Sequence, residues 1–159
     1  MAYYTSAAAG WTPVAHADGA SALANSSYQA VRTTAASTIR TIEIMIGGEA
    51  ISSTVNRMAL RRASTNATTP GDVTPAPLNT LSAAAVHRGY VTAATGPTIA
   101  STTHLFHVAF NAFGGVVRWI AQPNEEIWAT AATAPNGELI LDSISGTGVV
   151  TTHLIMEEM

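Results

Sequence analysis

The chain has no cysteine and no lysine, and few charges of either sign. Without cysteine there can be no disulfides and no thiolate metal ligands. All seven basic residues are arginines, set against ten acidic residues for a net charge of −3. That balance lacks the basic footprint of a nucleic-acid surface, so no nucleic-acid partner is expected. Charged residues make up 11% of the chain, less than half of the roughly 25% typical of soluble domains. Self-repulsion between copies is correspondingly weak, which is tolerable for a protein that spends its life docked on a neighbour. An ordinary Ala/Thr-rich β domain is the plainer alternative. No run approaches the roughly 20 apolar residues of a membrane helix. The opening MAYYTSAAAGWTPVAHADGASALANSS lacks the basic and apolar regions of a signal peptide, so neither a membrane partner nor secretory targeting is expected.

What is present is strand pattern. In Ser37 to Ile46, Ile42, Ile44 and Ile46 alternate with Glu43 and Met45, the period of a half-buried strand. Val55 to Arg61 and Thr103 to Phe110 repeat the pattern, and Ser27 to Thr33 makes the first strand. The last third, Gly114 to Met159, reads as an antiparallel meander of four runs: Val116 to Ala121, Ile127 to Thr133, Glu138 to Ile144 and Val149 to Met156. They are separated by Gln122-Pro123-Asn124, Pro135-Asn136-Gly137 and Gly146-Thr147-Gly148, residue types that reverse a chain tightly. Pro70, Gly71, Pro75 and Pro77 make Thr68 to Leu81 a long loop or a broken edge, with a short helical turn possible at Leu78 to Ala85. Alternation places Ile42, Ile44, Ile46, Met58, Leu60, Phe106, Val108, Leu139 and Leu141 in a core between two sheets. At 159 residues the chain suits one domain, and about eight strands is the count of a two-sheet jelly roll.

Residues 1–26 read as an extended arm ahead of a β domain over residues 27–159. The arm is rich in Ala, Ser and Gly, with aromatic side chains only at Tyr3, Tyr4 and Trp11. Such composition favours extended chain, and an ordered arm of this kind docks either on its own domain or on another subunit. Tyr3, Tyr4 and Trp11 are therefore interface candidates. Arg57, Arg61 and Arg62 form the one basic cluster and join them, against the plainer reading of solvated strand-end arginines. Of Trp119 and Trp128, each inside an alternating strand, one at an interface is compatible with the preference of Trp for such sites.

Reactive constellations are missing. His104-x-x-His107 has the spacing of a metal pair on a helix, but on a strand positions three apart point to opposite sides, and zinc usually wants four convergent ligands. Neighbouring Glu125 and Glu126 diverge for the same reason, whereas glycoside hydrolysis needs carboxylates facing across a bond. No Gly-x-Ser-x-Gly elbow occurs. No metal, cofactor or enzymatic activity is expected.

Several segments together resemble the small jelly-roll-like proteins that decorate or cement the heads of tailed bacteriophages. These are TIRTIEIMIGG, NRMALRRAST with Leu60-Arg61-Arg62 at its close, and HLFHVAFNAFGGVVRWIAQPNEEIWATAATAPNGELILDSI. Within the last lie Gly115-Val116-Val117-Arg118-Trp119 and Pro123-Asn124-Glu125-Glu126-Ile127, and the chain closes on Leu154-Ile155-Met156-Glu157-Glu158. The resemblance covers most of residues 28–159; the N-terminal arm is longer than the pattern. It implies a structural role without catalysis and, with the arm read from composition, the expected fold is an all-β, jelly-roll-like antiparallel β-sandwich with an extended N-terminal arm. The expected partners are the major capsid protein and further copies of the chain, a trimer by the geometry of threefold capsid positions. The expected location is the capsid exterior of the virion, after synthesis in the host cytoplasm. The alternative is a receptor- or glycan-binding module of a head fibre or tail, since lectins also use jelly rolls. That module would show exposed aromatics beside Asp, Asn or Glu in a loop-end cleft.

Overall fold

The computed structural model describes residues 2–16, 22–130 and 136–159, with residues 100–103 described by main chain alone. It is all-β, and no helix forms among the described residues. The strands are β1 (Ala2–Trp11), β2 (Tyr28–Arg32), β3 (Ile39–Glu49), β4 (Val55–Thr65), β5 (Thr68–Pro70), β6 (Ala76–Pro77), β7 (Arg88–Tyr90), β8 (Ala93–Thr95), β9 (Thr98–Asn111), β10 (Phe113–Ile120), β11 (Ile127–Ala129), β12 (Glu138–Ser145) and β13 (Val150–Glu158). A front sheet runs β10-β3-β13-β1-β6, with β11 also on β3. A back sheet runs β7-β2-β12-β4-β9, and β5 pairs with β8 apart from both.

Among the described residues every pairing between these strands is antiparallel, and none joins strands numbered consecutively. Renumbering the principal strands β1, β2, β3, β4, β9, β10, β12 and β13 from one to eight, the sheets read 6-3-8-1 and 2-7-4-5. Successive strands cross from one sheet to the other at every step but one, four and five being neighbours in the back sheet, the interlocked connectivity of a jelly roll. The arm supplies the first of these strands: β1 lies on the chain's own β13, from Ala2 opposite Glu158 to Trp11 opposite Val150.

The meander expected for the last third is not what forms. β10 and β11 both lie on β3, β12 crosses to the back sheet and β13 returns to the front. The turn residues of Gly146 to Gly148 thus mark a crossing between sheets, not a hairpin. Of the expected strand Ile127 to Thr133, only Ile127–Ala129 is strand, and residues 131–133 lie outside the described ones. At Leu78 to Ala85 there is a turn closed by the Ser82 N–H on the Asn79 carbonyl (2.9 Å), not a helix.

The core between the sheets includes Ile44, Ile46, Met58, Leu60, Leu139 and Leu141, with Phe106 and Val108 packed against it. Each fully buried aliphatic side chain contributes about 1.5–3 kcal/mol. Ile42 is the exception. β13 passes from Ile155 opposite Glu43 to Met156 opposite Thr41, so Ile42 is an extra residue in a β-bulge. A bulge shifts the inward phase by one: Ile39 and Thr41 face inward before it, Ile44 and Ile46 after it, and Ile42 is left half-exposed. Gly48 lies where the β9–β10 crossing presses on β3; a Cβ there would sit 2.2 Å from the Ala112 carbonyl oxygen.

A second apolar cluster covers the outer side of the back sheet, where Tyr28, Ala30 and Ile140 meet Leu23, Ala67 and Ala93 from the connections. β12 is consequently buried on both faces from Glu138 to Ser143.

Candidate docking face

Among the described residues the outer side of the front sheet has no such cover. Strand register arranges it in rows, read from the β10/β11 edge toward β1. Val116, Gly47 and Thr151 make one row, and Arg118, Met45, His153 and Ala7 the next. Then come Ile120, Glu43, Ile155 and Thr5, and last Trp128, Arg40, Glu157 and Tyr3. Val116 is 73% exposed and Ile120 54%, on a strand whose other side sets Val117 and Trp119 against the core. Apolar residues on both sides of an edge strand belong to a strand covered on both sides. Nothing among the described residues covers this one.

The charges of this face are neutralised within it. Arg118 grips Glu43 through Nε (2.7 Å) and Nη2 (3.2 Å). That grip outweighs the cost of burial and holds the Glu43 carboxyl below its ordinary range. Arg40 pairs with Glu157 through Nε and with Glu126 through Nη1 (3.2 Å), and stacks over the Trp128 ring at 5.8 Å. Thr5 and His153 share a hydrogen bond. A surface arranged in this way asks an approaching partner for apolar contact and shape, and for no counter-charge.

The interface candidates from the sequence divide sharply. Tyr3 is 45% exposed in the last row. Tyr4 and Trp11 correct the expectation, because both are spent on their own domain. Tyr4 is 2% exposed, its hydroxyl on the Ala83 carbonyl (3.0 Å) and its ring edge-on to His87. Trp11 is 5% exposed in the core, its Nε1 donating to Thr152 Oγ1 (2.9 Å). The arginine cluster comes apart as well. Arg57 is exposed and Arg62 half-buried, its Nη1 at 3.5 Å from the Asn136 carbonyl. Arg61 is fully buried behind the back sheet in a bidentate pair with Asp142, Nε to Oδ1 at 2.9 Å and Nη2 to Oδ2.

Sequence reasoning missed Arg40, Arg118, Glu43 and Glu157 as a set. Their one signal was single charges inside alternating apolar strands, and the strand order that pairs them is not local. It also expected His104 and His107 to diverge. Phe106 stands opposite Leu60 and His104 opposite Arg61, so Leu105 is an extra residue, and the two rings come within 5.4 Å. Among the described residues no group of three or more potential ligands forms. Glu125 is exposed, while Glu126 turns to Arg40.

No protein-family model and no curated protein matches the chain.

Proposed function

We propose that the protein is a virion structural protein: a capsid decoration protein that lays its front face on the outside of a tailed-phage head and covers boundaries between shell subunits. The observation that carries this reading is the bare, self-neutralised front face, opposite a back face roofed by the chain's own connections. Its action is mechanical. Burying Val116, Ile120 and Tyr3 against the shell contributes about 25 cal/mol per Å² of apolar surface, spread over many copies. The partner in this reading is the major capsid protein. Copies associate as a trimer about threefold positions, where closed symmetry satisfies every contact.

A glycan-binding module is the second reading, and it has less support. The cleft between β1 and β7 carries Asn25 on its lining but no Asp or Glu, and its rings, Trp11 and Tyr90, are buried. The test is co-sedimentation with heads assembled without the protein. Wild type saturates them, while Val116→Glu and Ile120→Glu, both on exposed positions, bind at least tenfold more weakly (about 1.4 kcal/mol) with unchanged thermal unfolding. Wild type that fails to sediment with heads overturns the reading.

A further inference from the structure

On the side of the sandwich away from β9 and β10, a cleft of about 750 Å³ separates the outer edge of β1 from β7 and the chain leading into β6. Its size is that of a ligand site, and none of the residues lining it is charged.

One wall is main chain. β6 covers β1 only at Tyr4 and Thr5. The Leu78 N–H donates to the Tyr3 carbonyl (2.8 Å), so the Tyr3 main chain faces this free side, and alternation turns Thr5 and Ala7 the same way. Opposite Ala7 no strand pairs among the described residues, because the chain before Ala76 turns aside. There Val73 exchanges two hydrogen bonds with Gly89 of β7, at 2.7 and 3.0 Å. From Ala7 onward the free side of β1 therefore borders the cleft with no strand partner among the described residues.

The second observation is Gln29, 1% exposed on the cleft wall. Its Nε2 donates to the Ser6 carbonyl (3.0 Å) and to Ser6 Oγ (3.1 Å). Those acceptors fix the orientation of the amide and leave Oε1 as a buried acceptor without a partner. Unpaired buried acceptors are costly and uncommon in folded proteins. Gly89 brings β7 close at this point; a Cβ on it would stand 2.5 Å from Ser6 Oγ.

We propose that the cleft binds an extended, uncharged peptide segment. It adds as a strand to the edge of β1 from Ala7 onward, supplies an N–H to Gln29 Oε1, and fills the neutral cleft with small apolar or hydroxyl side chains. Main-chain pairing supplies affinity and the cleft supplies selectivity, as in other cases of strand addition. A strand edge presents donors and acceptors at the spacing of another strand, which favours peptide over sugar. The proposal stands apart from the virion reading and is tested without heads.

The experiment titrates ¹⁵N-labelled protein with a blocked, uncharged eight-residue peptide of alternating valine and serine. Maltotriose and a peptide of alternating lysine and glutamate serve as comparison ligands. The neutral peptide is expected to shift the Ala7 and Gly89 to Val91 amide signals saturably, to slow Ala7 hydrogen exchange at least tenfold, and to bind at least tenfold tighter than the charged one. Ala7→Pro removes the edge N–H and abolishes binding, whereas Ala7→Thr keeps it. Gln29→Leu weakens binding at least fivefold. Saturation by maltotriose and not by the peptide overturns the proposal. So does equal binding by Ala7→Pro, or an Ala7 amide that stays unprotected at peptide saturation in the wild-type protein.

Discussion

The two outer faces of this sandwich treat the same residue types in opposite ways. Behind the back sheet, Arg61 and Asp142 are fully buried beneath residues 12–16, where Arg61 Nη2 also reaches the His16 carbonyl (3.3 Å) and the His16 N–H donates to the Ser143 carbonyl (2.9 Å). On the front, Arg118 meets Glu43 with its side chain 58% exposed. A buried pair cannot lose one partner without stranding the other in low dielectric, while the exposed Arg118 guanidinium exchanges its partner for water at little cost. The back face is thus committed to its own connections, and the front face is free to be covered by something else.

The largest expected effect comes from removing what joins the two faces. Deleting residues 2–16 takes away β1 and also the cover over Arg61 and Asp142, and the product is expected to lose cooperative thermal unfolding. This departs from the arm that sequence alone suggests, which should be dispensable for folding. A truncated chain with wild-type unfolding would mean that β1 is not a working part of the front sheet.

Next, Asp142→Ala should cost about 3–5 kcal/mol in chemical denaturation, because it leaves Arg61 buried and unpaired. Replacing both Arg61 and Asp142 by leucine should cost less than the single change. If the double variant is worse, the pair is a net source of stability. Ile44→Ala should cost about 2–5 kcal/mol from a filled core site. Ile42→Ala, outside the core, should cost less than half as much. Equal losses would remove the bulge from the account.

Smaller still is Glu138, buried behind the back sheet with the Tyr90 hydroxyl on its Oε1. Burial pushes its carboxyl above the ordinary value, against the opposing effects of Tyr90 and Arg32. A carboxyl raised in the folded state contributes stability that is complete below its unfolded value and lost as pH rises through its folded value. Glu138→Gln should therefore gain melting temperature relative to wild type between pH 4 and pH 8; parallel curves would contradict this. Arg118→Ala on the front face leaves the largely buried Glu43 carboxylate without its partner and should lower the melting temperature, by less than Asp142→Ala does; an equal loss would show that the front pairs support the fold as the buried pair does.

Much of this architecture was legible locally. β3, β4 and β9 announced themselves by alternation, β2 as a strand-like run, and β10, β12 and β13 as runs set off by turn residues, while the prolines between Thr68 and Leu81 marked broken, edge-like chain. Pairing was not legible, since every hydrogen-bonded partner is distant in sequence. β1 reads AYYTSAAAGW, too small-sided to signal a strand, and its partner β13 lies at the other end of the chain. Bulges were equally invisible. One extra residue at Ile42 turned an expected core side chain outward, and one at Leu105 brought together two histidines expected to diverge. Arg61 and Asp142 were opaque because burial behind the sheet depends on connections that carry no periodic pattern.

The most direct test of the central claim is a cryo-EM map of a virion containing this protein, at a resolution that separates strands. The account predicts the sandwich on the head exterior with the front sheet, Val116 and Ile120 included, toward the shell and the 66–97 connection toward solvent. A sandwich seated by the back-sheet connections, with the front sheet bare to solvent, would contradict it.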